Sequence, residues 1–261
     1  MIKKIIRAVI NLFGFDVVRY QRDKNNIKKL LNTSPLYQEI RKENPLLFNT
    51  NQQLSTKLYT TFCVTKYIVE NDIEGDFVEC GVYKGQMIAM MSATLLKLGV
   101  DDRKIYLFDT FKGMTGISRY DYKDNREGYT YQYNLDRQNK MQKEDYNLRC
   151  YSPKEAVLNY ILQTGYSESN FIFKEGDVLD TLPTSEINKI SFLRLDTDWY
   201  ESTKHELDHL YQLLVRGGVF VQDDYGSWAG ARKAVDEFFA ENKKKPLLFR
   251  MGKSEIATIK L

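Results

Sequence analysis

Residues 75–85 of the chain read GDFVECGVYKG and mark the point where the sequence changes its pattern. A short apolar run, Phe77 to Cys80, is followed by a turn framed by Gly81 and Gly85 and then by a segment with helical periodicity. Short apolar runs that alternate with helical segments are typical of βαβ units and of a mostly parallel sheet. We therefore predict an α/β fold that starts at this segment.

The same alternation continues to the C-terminus. Four further apolar runs predict parallel strands, and the last two runs, separated by GKSE, predict an antiparallel hairpin at one sheet edge. The predicted helices span about 85–98, 153–164, 201–214 and 229–241. The predicted strands are Phe77–Cys80, Ile105–Phe108, Phe171–Lys174, Ile190–Leu195, Gly218–Gln222, Leu247–Met251 and Ile256–Leu261.

An N-terminal helical extension, residues 1–50, precedes this α/β domain of residues 51–261. Residues 1–15 alternate basic and apolar side chains at helical spacing, which predicts a short amphipathic helix. Docking on its own domain or on a second subunit is the commoner use of such a helix, and peripheral contact with a membrane surface is the alternative. Residues 54–70 predict a longer helix ahead of the first strand.

Composition and charge exclude several classes of protein. Of the 261 residues, 43% are hydrophobic and 28% charged, which argues against disorder. Lys+Arg 38 against Asp+Glu 35 leaves only +3, which indicates no nucleic-acid partner. The sequence contains no uncharged apolar stretch of about 18 residues, so it predicts no membrane span. Three widely spaced cysteines argue against a disulfide framework, so we expect a cytoplasmic protein.

Residues 112–150 join a strand to the next helix and are far longer than a usual connection. They contain six of the 18 tyrosines, and because disordered segments are poor in aromatic residues we predict an ordered lid. A tyrosine ring with its hydroxyl suits contact with a sugar; the alternative is that the rings only cover a sheet edge. The tyrosines predicted to face a substrate are Tyr120, Tyr122, Tyr129, Tyr131 and Tyr133.

Acidic residues end the first three predicted strands, at the edge where ligands bind an open parallel sheet. Glu79 would repel a phosphate but suits a ligand with a cationic amino acid part. Asp109 is placed to bind the hydroxyls of a ribose, and Asp177 to bind the amino group of a purine. The segment lacks GxGxxG, which argues against a dinucleotide. These residues predict a nucleoside pocket without a phosphate cradle.

Two pairs of aspartates follow the next two strands, in LDTDWY (195–200) and QDDY (222–225). If the strands are neighbours, four carboxylates converge, and such like charges require a cation. An all-oxygen ligand set selects a hard ion, with Mg²⁺ before Mn²⁺ or Ca²⁺. The alternative is that the aspartates form turns and helix caps. The four aspartates are Asp196, Asp198, Asp223 and Asp224.

Residues 205–209, HELDH, match the HExxH pattern of zinc hydrolases. On a helical wheel His205 and His209 lie opposite Leu207, so the histidines would face solvent if the leucine faces the core. A zinc protease also needs a third ligand and a cleft on the histidine side. We therefore disfavour zinc hydrolysis.

Four blocks of the sequence, GDFVECGVYKG, IYLFDTFKGM, LRLDTDWYESTKHELDHLY and GGVFVQDDYGSWAGARKAVDEFF, closely resemble the macrocin O-methyltransferase (TylF/MycF) family of S-adenosylmethionine-dependent sugar O-methyltransferases. The resemblance runs from about residue 50 to 261. It implies a Rossmann-like class I methyltransferase fold, with a seven-stranded, mostly parallel sheet, an antiparallel last strand and helices on both faces. It also implies S-adenosylmethionine and Mg²⁺ as cofactors, a sugar-containing small molecule or glycan precursor as acceptor, and a homo-oligomer.

The resemblance also implies roles for individual residues. Asp196, Asp223 and Asp224 match metal-binding aspartates, and Asp198 matches the proposed general base. This chain has Gln86-Met87 where many relatives have a small residue followed by serine. The difference affects only details of the contacts with the methionine part of S-adenosylmethionine. The residues expected in the cofactor pocket are Glu79, Gly81, Asp109 and Asp177, with Cys80, Tyr83, Gly85, Thr110, Val178 and Asp196 from the same strand ends.

The function that follows is Mg²⁺-dependent methyl transfer to a sugar hydroxyl, with Asp198 as the base. Two alternatives from other classes stay open. An NAD(P)-dependent sugar reductase would use the same topology, but the ECGVYKG turn argues against it. A non-catalytic glycan-binding subunit would keep the lid, yet it gains little from four clustered carboxylates. The acceptor itself cannot be read from the sequence.

Overall fold

The computed structural model of the protein describes residues 34–45, 52–124, 126–184, 186–241 and 245–261. The predicted amphipathic helix of residues 1–15 lies outside these ranges. Cys63, Cys80 and Cys150 are free thiols. Among the described residues, no helix combines the length and the apolar character needed to cross a membrane.

A single sheet forms the centre of the molecule. Its strands are β1 (Asp76–Cys80), β2 (Ile105–Asp109), β3 (Phe171–Glu175), β4 (Ile190–Leu195), β5 (Leu214–Gln222), β6 (Phe249–Arg250) and β7 (Ile256–Ile259). They lie in the order β3-β2-β1-β4-β5-β7-β6. Strands β1 to β5 pair in parallel, whereas β7 is antiparallel to both β5 and β6. The predicted parallel sheet with an antiparallel C-terminal hairpin is confirmed.

Helices cover both faces of the sheet. The described helices are α1 (Pro35–Glu43), α2 (Gln52–Glu70), α3 (Gln86–Lys97), α4 (Tyr131–Met141), α5 (Lys154–Ile161), α6 (Val178–Thr181), α7 (Tyr200–Leu210) and α8 (Ala229–Glu241). Successive strand residues point to opposite faces. Phe77 of β1 therefore joins the core formed with α2, α3 and α5, and Val78 joins the core formed with α7 and α8. Every residue of β4 is buried, and four of its six residues are apolar.

The junction between α7 and β5 differs from the prediction. We expected a helix to residue 214, but α7 ends at Leu210, a 3₁₀ turn spans Tyr211–Leu213, and β5 already begins at Leu214. Leu214 pairs with Ile190 of β4, and a register irregularity precedes the regular pairing that starts at Phe192. The helical spacing of Leu207, Leu210 and Leu214 suggested a longer helix, but Leu214 pairs with β4 as a strand residue.

The long segment of residues 112–150 contains α4, which the sequence analysis did not predict. Helix α4 buries Asn134 and Gln138, so it has no apolar stripe that would reveal it. Asn134 Nδ2 donates to the carbonyl oxygen of Asp121 at 2.8 Å, and Gln138 Nε2 donates to that of Thr115 at 3.2 Å. Side-chain hydrogen bonds to backbone thus stabilise this insertion, in addition to the packing of Tyr129 against Trp199 and Trp228.

The buried carboxylate of Asp121 joins the insertion to the α/β domain. Its Oδ2 accepts hydrogen bonds from the backbone N–H and the hydroxyl of Ser118, at 2.7 and 2.8 Å, and its Oδ1 accepts one from the N–H of Tyr200 at 2.8 Å. Helix α7 has no side-chain cap of its own at Trp199. Asp121 therefore supplies the negative charge and the acceptor that the first turn of α7 requires.

The close approach of α8 to this carboxylate requires glycine at position 230. A Cβ atom on Gly230 would lie 2.0 Å from Asp121 Oδ1. We expect Gly230→Ala to lower the free energy of unfolding by about 2 kcal/mol, although alanine is the better helix former. Gly116→Ala is the matched control, because a Cβ atom there meets nothing within 4 Å. Urea denaturation of both variants checks this, and a Gly230→Ala protein as stable as the wild type would contradict it.

Candidate active site

A cleft runs along the carboxyl ends of β1 to β4, where the strand order reverses between β1 and β4. Two adjoining cavities form it, and Thr110, Gly113 and Asp177 line both of them. The topology alone predicts this position for a ligand site. The predicted cofactor residues that line the cleft are Gly81, Tyr83, Asp109, Thr110, Asp177, Val178 and Asp196.

The turn after β1 depends on glycine. Gly81 has a φ of +83°, and a Cβ atom there would lie 2.2 Å from the carbonyl oxygen of Asp196. This contact lets the Asp196 N–H donate to the carbonyl oxygen of Cys80 at 2.8 Å. Without a side chain at position 81, the ends of β1 and β4 meet at the floor of the cleft.

Asp109 has a structural function that the sequence analysis missed. Its Oδ2 accepts hydrogen bonds from the N–H groups of Val82 and Tyr83 at 2.8 and 2.9 Å, and its Oδ1 accepts one from Phe111 at 2.8 Å. Burial raises the pKa of Asp109, and these backbone donors oppose that rise. Asp109 thus holds the turn after β1 against the end of β2 while it lines the cleft.

Asp177 lies on the opposite wall of the cleft, at the end of β3. Its Oδ1 accepts a hydrogen bond from the N–H of Leu179 at 3.0 Å and so caps the short helix α6. One carboxylate oxygen is occupied by the cap. Because Asp177 also lines both cavities of the cleft, its other oxygen is the one available to a ligand.

Three residues of the predicted cofactor set do not line the cleft. Cys80 is buried in the core with α7 and α8, and Gly85 packs against Val157 and Ile161 of α5. Glu79, which we expected to contact a cationic ligand, is only 1% exposed. Its Oε1 accepts a hydrogen bond from Arg194 Nη1 at 2.6 Å. Glu79 therefore lies below the cleft. The cation that it binds is Arg194 of this chain and not the expected ligand.

Arg194 is the centre of a buried charge cluster. Besides Glu79, its Nη1 donates to Asp196 Oδ2 at 2.8 Å, and its Nη2 donates to Asp223 Oδ1 at 2.6 Å. Lys57 of α2 pairs with the other oxygen of Asp223. The sequence analysis missed Arg194, although an arginine inside the otherwise apolar strand ISFLRL was a signal that a buried counter-charge exists.

Three aspartates bring their carboxylates together above this cluster. Asp196, Asp198 and Asp224 each place one carboxylate oxygen within 4.8 Å of the others. The N–H of Asp198, a residue with a φ of +68°, donates to Asp224 Oδ2 at 3.1 Å. This grouping differs from the one that the resemblance implied, because Asp198 lies in the triad and Asp223 pairs with Arg194 and Lys57. The all-oxygen donor set of the triad fits Mg²⁺.

The protonation of these acids reflects burial and like charge. Burial and the neighbouring Asp223 raise the pKa of Asp196 to about 7. Burial, with Asp198 and Asp196 nearby, raises the pKa of Asp224 well above its usual range. Burial opposes ionisation of Asp223 as well, but Arg194 and Lys57 outweigh it and hold this pKa below its ordinary value. A divalent cation would replace the protons that the triad otherwise holds.

A further cavity of about 390 Å³, within the range of small-molecule sites, is lined both by the triad and by residues of the insertion. We call it the insertion cavity; besides the triad, Lys123, Arg137, Arg149 and Trp228 line it. Lys57, Cys150, Asp196 and Asp198 line both this cavity and the cleft. The triad therefore stands where the two spaces meet.

The five predicted lid tyrosines do not line these cavities. Tyr129 is 3% exposed and its ring packs 5.6 Å from that of Trp228, and the Tyr120 ring lies 4.8 Å from that of Tyr200. Tyr122 and Tyr133 are exposed. In this structure the rings of Tyr120 and Tyr129 pack within the protein, and the insertion contributes basic residues to the cavity. A contact of the tyrosines with a sugar stays a prediction.

The HELDH segment forms no metal site in the described part of the chain. The triad is the one group of three or more metal-ligating side chains found there, and it excludes both histidines. Glu206 is buried and accepts a hydrogen bond from the Thr197 hydroxyl at 3.1 Å. The segment belongs to helix α7, whose Leu207 and Leu210 face the core.

The strand order and the ligand cleft at the carboxyl ends of β1 to β4 define a class I methyltransferase fold. The structure of the O-methyltransferase NovP superimposes with a TM-score of 0.68 at 25% identity, covering 79% of this chain and 80% of that one. The calicheamicin methyltransferase CalS11 gives a TM-score of 0.61 at 21% identity, covering 93% of this chain and 94% of that one.

The family is shown by a match over most of the domain. The model of the macrocin-O-methyltransferase (TylF) family matches residues 55–253, so the chain belongs to this family. Demethyldecarbamoylnovobiocin O-methyltransferase of Streptomyces niveus is 29% identical over 174 residues, 67% of this chain. Mycinamicin III 3''-O-methyltransferase of Micromonospora griseorubida is 29% identical over 170 residues, 65% of this chain. The matched region spans 62% of the length of each relative.

Removing the guanidinium of Arg194 should destabilise the fold strongly. Arg194→Met leaves Glu79, Asp196 and Asp223 without their shared cation, and we expect a loss of about 3 to 5 kcal/mol in the free energy of unfolding. Arg216→Met is the matched control, since Arg216 is an exposed arginine of β5. Adding Glu79→Gln to Arg194→Met should recover part of the loss. A loss no larger than that of the control in urea denaturation would contradict the prediction.

Mg²⁺ affinity should depend on pH. A cation binds the ionised triad, and burial raises the pKa of Asp196 to about 7, so affinity should rise as the pH increases from 6 to 8. Calorimetric titration with Mg²⁺ at both pH values, in two buffers of different ionisation enthalpy, measures the affinity and the protons released. An affinity that is independent of pH, without proton release, would contradict this expectation.

Proposed function

We propose that this protein is an S-adenosylmethionine-dependent O-methyltransferase that uses Mg²⁺ and methylates a hydroxyl of a sugar. The observation that carries the proposal is the aspartate triad at the junction of the cleft and the insertion cavity. A donor in the cleft and an acceptor in the insertion cavity would meet at these carboxylates. Family membership supports the reaction class.

The cleft suits S-adenosylmethionine better than a dinucleotide. The turn after β1 brings Gly81 into backbone contact with β4 and holds no phosphate-binding glycine pattern. Asp109 and Asp177, at the ends of β2 and β3, offer acceptors for ribose hydroxyls and for an adenine amino group. S-adenosylmethionine, when bound, supplies the methyl group and keeps the electron pair of the broken C–S bond, which leaves S-adenosylhomocysteine.

The triad would hold the metal through Asp196, Asp198 and Asp224. Mg²⁺, when bound there, acts as a Lewis acid on the acceptor hydroxyl and lowers its pKa. Arg194 orients Asp196 from below through the bond to Oδ2. Arg149, whose Nη2 lies 3.6 Å from Asp198 Oδ2, is the cation closest to Asp198.

Asp198 is the residue that accepts the proton of the hydroxyl in this proposal. It lines both spaces, whereas Asp224 lines only the insertion cavity and Asp196 is held by Arg194. As the oxygen–methyl bond forms, the hydroxyl proton passes to the Asp198 carboxylate. The insertion lines the cavity, and closer approach of the insertion to a bound acceptor would limit the access of water.

The proposed class of acceptor is inferred from the names of the relatives. Their names describe methyl transfer to mycinamicin III, to a tetracenomycin rhamnoside and to demethyldecarbamoylnovobiocin. We extend this to a glycoside, glycolipid or surface-glycan precursor as acceptor. The proposal includes a cytoplasmic location, which the three free thiols support, and a homo-oligomeric state, which rests on the family alone.

Binding and turnover test the proposal together. We expect calorimetry to give micromolar binding of S-adenosylmethionine and S-adenosylhomocysteine and none of NADPH. Asp198→Asn should keep the S-adenosylmethionine affinity within about threefold and lower kcat by about 100-fold or more on a panel of sugar acceptors, because it removes the base together with one charged ligand of the metal. Asp208→Asn is the control, since Asp208 is an exposed aspartate of α7.

Other outcomes would favour the other classes of protein. Binding of NADPH without either adenosyl ligand would support a sugar reductase. Binding of glycans without any adenosyl ligand would support a non-catalytic subunit. Full turnover by Asp198→Asn would remove Asp198 from the mechanism and leave methyl transfer standing.

A further inference from the structure

We propose that the acceptor carries an anionic group, a phosphate ester or a carboxylate, and that Lys123 and Arg137 bind this group in the insertion cavity. The inference rests on the proposed function, because it takes the insertion cavity as the acceptor site. It goes further by naming the charge of the acceptor and the side chains that recognise it.

The first argument is that two cations of the insertion cavity have no carboxylate partner among the described residues. The insertion cavity is lined by four cations and four aspartates, but two of the cations are already engaged. Lys57 pairs with Asp223, and Arg149 lies beside Asp198 and donates to Asn134 Oδ1 at 2.9 Å. Within the described part of the chain, no carboxylate lies within ion-pair distance of Lys123 or Arg137. Both are half-buried in the wall of the cavity.

The second argument is preorganisation. Lys123 Nζ lies 4.1 Å from the centroid of the buried Trp228 ring, and Arg137 Nη1 donates to the Tyr129 hydroxyl at 3.0 Å. The aromatic wall therefore fixes both cationic groups beside the cavity. Arg137 keeps most of its five N–H donors and Lys123 keeps its ammonium donors for a ligand.

The third argument is position. Neither Lys123 nor Arg137 lines the cleft, so the carboxylate of a donor bound there does not explain them. Both line the space that ends at the triad. An acceptor whose hydroxyl lies at the triad would extend its remaining part towards these two cations. A neutral acceptor would leave the two positive charges without a counter-charge, whereas an anionic oxygen group would receive short, charge-assisted hydrogen bonds.

The test compares matched probes on one protein. Calorimetry on the protein loaded with S-adenosylhomocysteine and Mg²⁺ measures the affinities for glucose 1-phosphate, glucuronate and methyl glucoside. We expect at least one charged probe to bind about 10-fold or more tightly than the neutral glucoside. The stronger of the two charged probes identifies the anion as phosphate or carboxylate.

Variants assign the preference to residues. Lys123→Gln combined with Arg137→Gln should reduce the charged-to-neutral preference to about threefold or less, whereas Arg137→Lys should retain part of it because the charge remains. Lys140→Gln is the matched control: Lys140 is an exposed lysine of the same helix, one turn beyond Arg137. Urea denaturation of each variant checks that it is folded.

The outcomes are separable from those of the proposed function. Failure of S-adenosylhomocysteine to bind would overturn the proposed function itself. With S-adenosylhomocysteine bound, equal affinities for charged and neutral probes, or no measurable binding of any probe, would overturn the anionic acceptor alone. A charge preference that survives in the double variant would overturn the assignment to Lys123 and Arg137.

Discussion

The buried guanidinium of Arg194 is the interaction on which the arrangement of the site depends. It bonds to carboxylates at the ends of three neighbouring strands, Glu79 of β1, Asp196 after β4 and Asp223 after β5. Isolated carboxylates at such depth would be protonated or would disrupt the fold. Because one planar cation with several donors bonds to all three, the strand ends are fixed relative to one another and the rotamer of Asp196 is set. The strand ends that Arg194 fixes in turn position the turn after β1 and the aspartate triad.

Most of the cations that line the insertion cavity come from a different part of the chain than the aspartates. The aspartates follow strands of the sheet, whereas the insertion supplies Lys123, Arg137 and Arg149, and α2 supplies Lys57. In the proposed function, the sheet residues would hold the metal and the donor, and the side chains of the insertion would select the acceptor. Substitution of individual insertion side chains would then change the acceptor preference and leave the triad in place.

The sequence predicted the sheet well because its central strands β1, β2 and β4 are buried on both faces and read as mostly apolar runs. The predicted start of β5 was wrong, since the pairing of Leu214 with Ile190 is a long-range contact that no local pattern reveals. Helix α4 was missed because it buries Asn134 and Gln138 in place of an apolar stripe. In the site, the aspartates were found from their positions after strands. The roles of Arg194, Lys57 and Arg149 were not, since each depends on a partner far away in the sequence.

The cap that Asp121 places on helix α7 limits how the insertion can be exchanged. Helix α7 starts directly after the loop that carries Asp196 and Asp198, so the first turn of that helix is held by a residue of the insertion. An engineer who grafts the corresponding segment of another enzyme to change its acceptor would also remove this cap. A graft must therefore bring a carboxylate to the same point, beside the bare backbone of Gly230, or leave the loop of Asp196 and Asp198 without this anchor. Because the insertion caps helix α7, it cannot be treated as an interchangeable module.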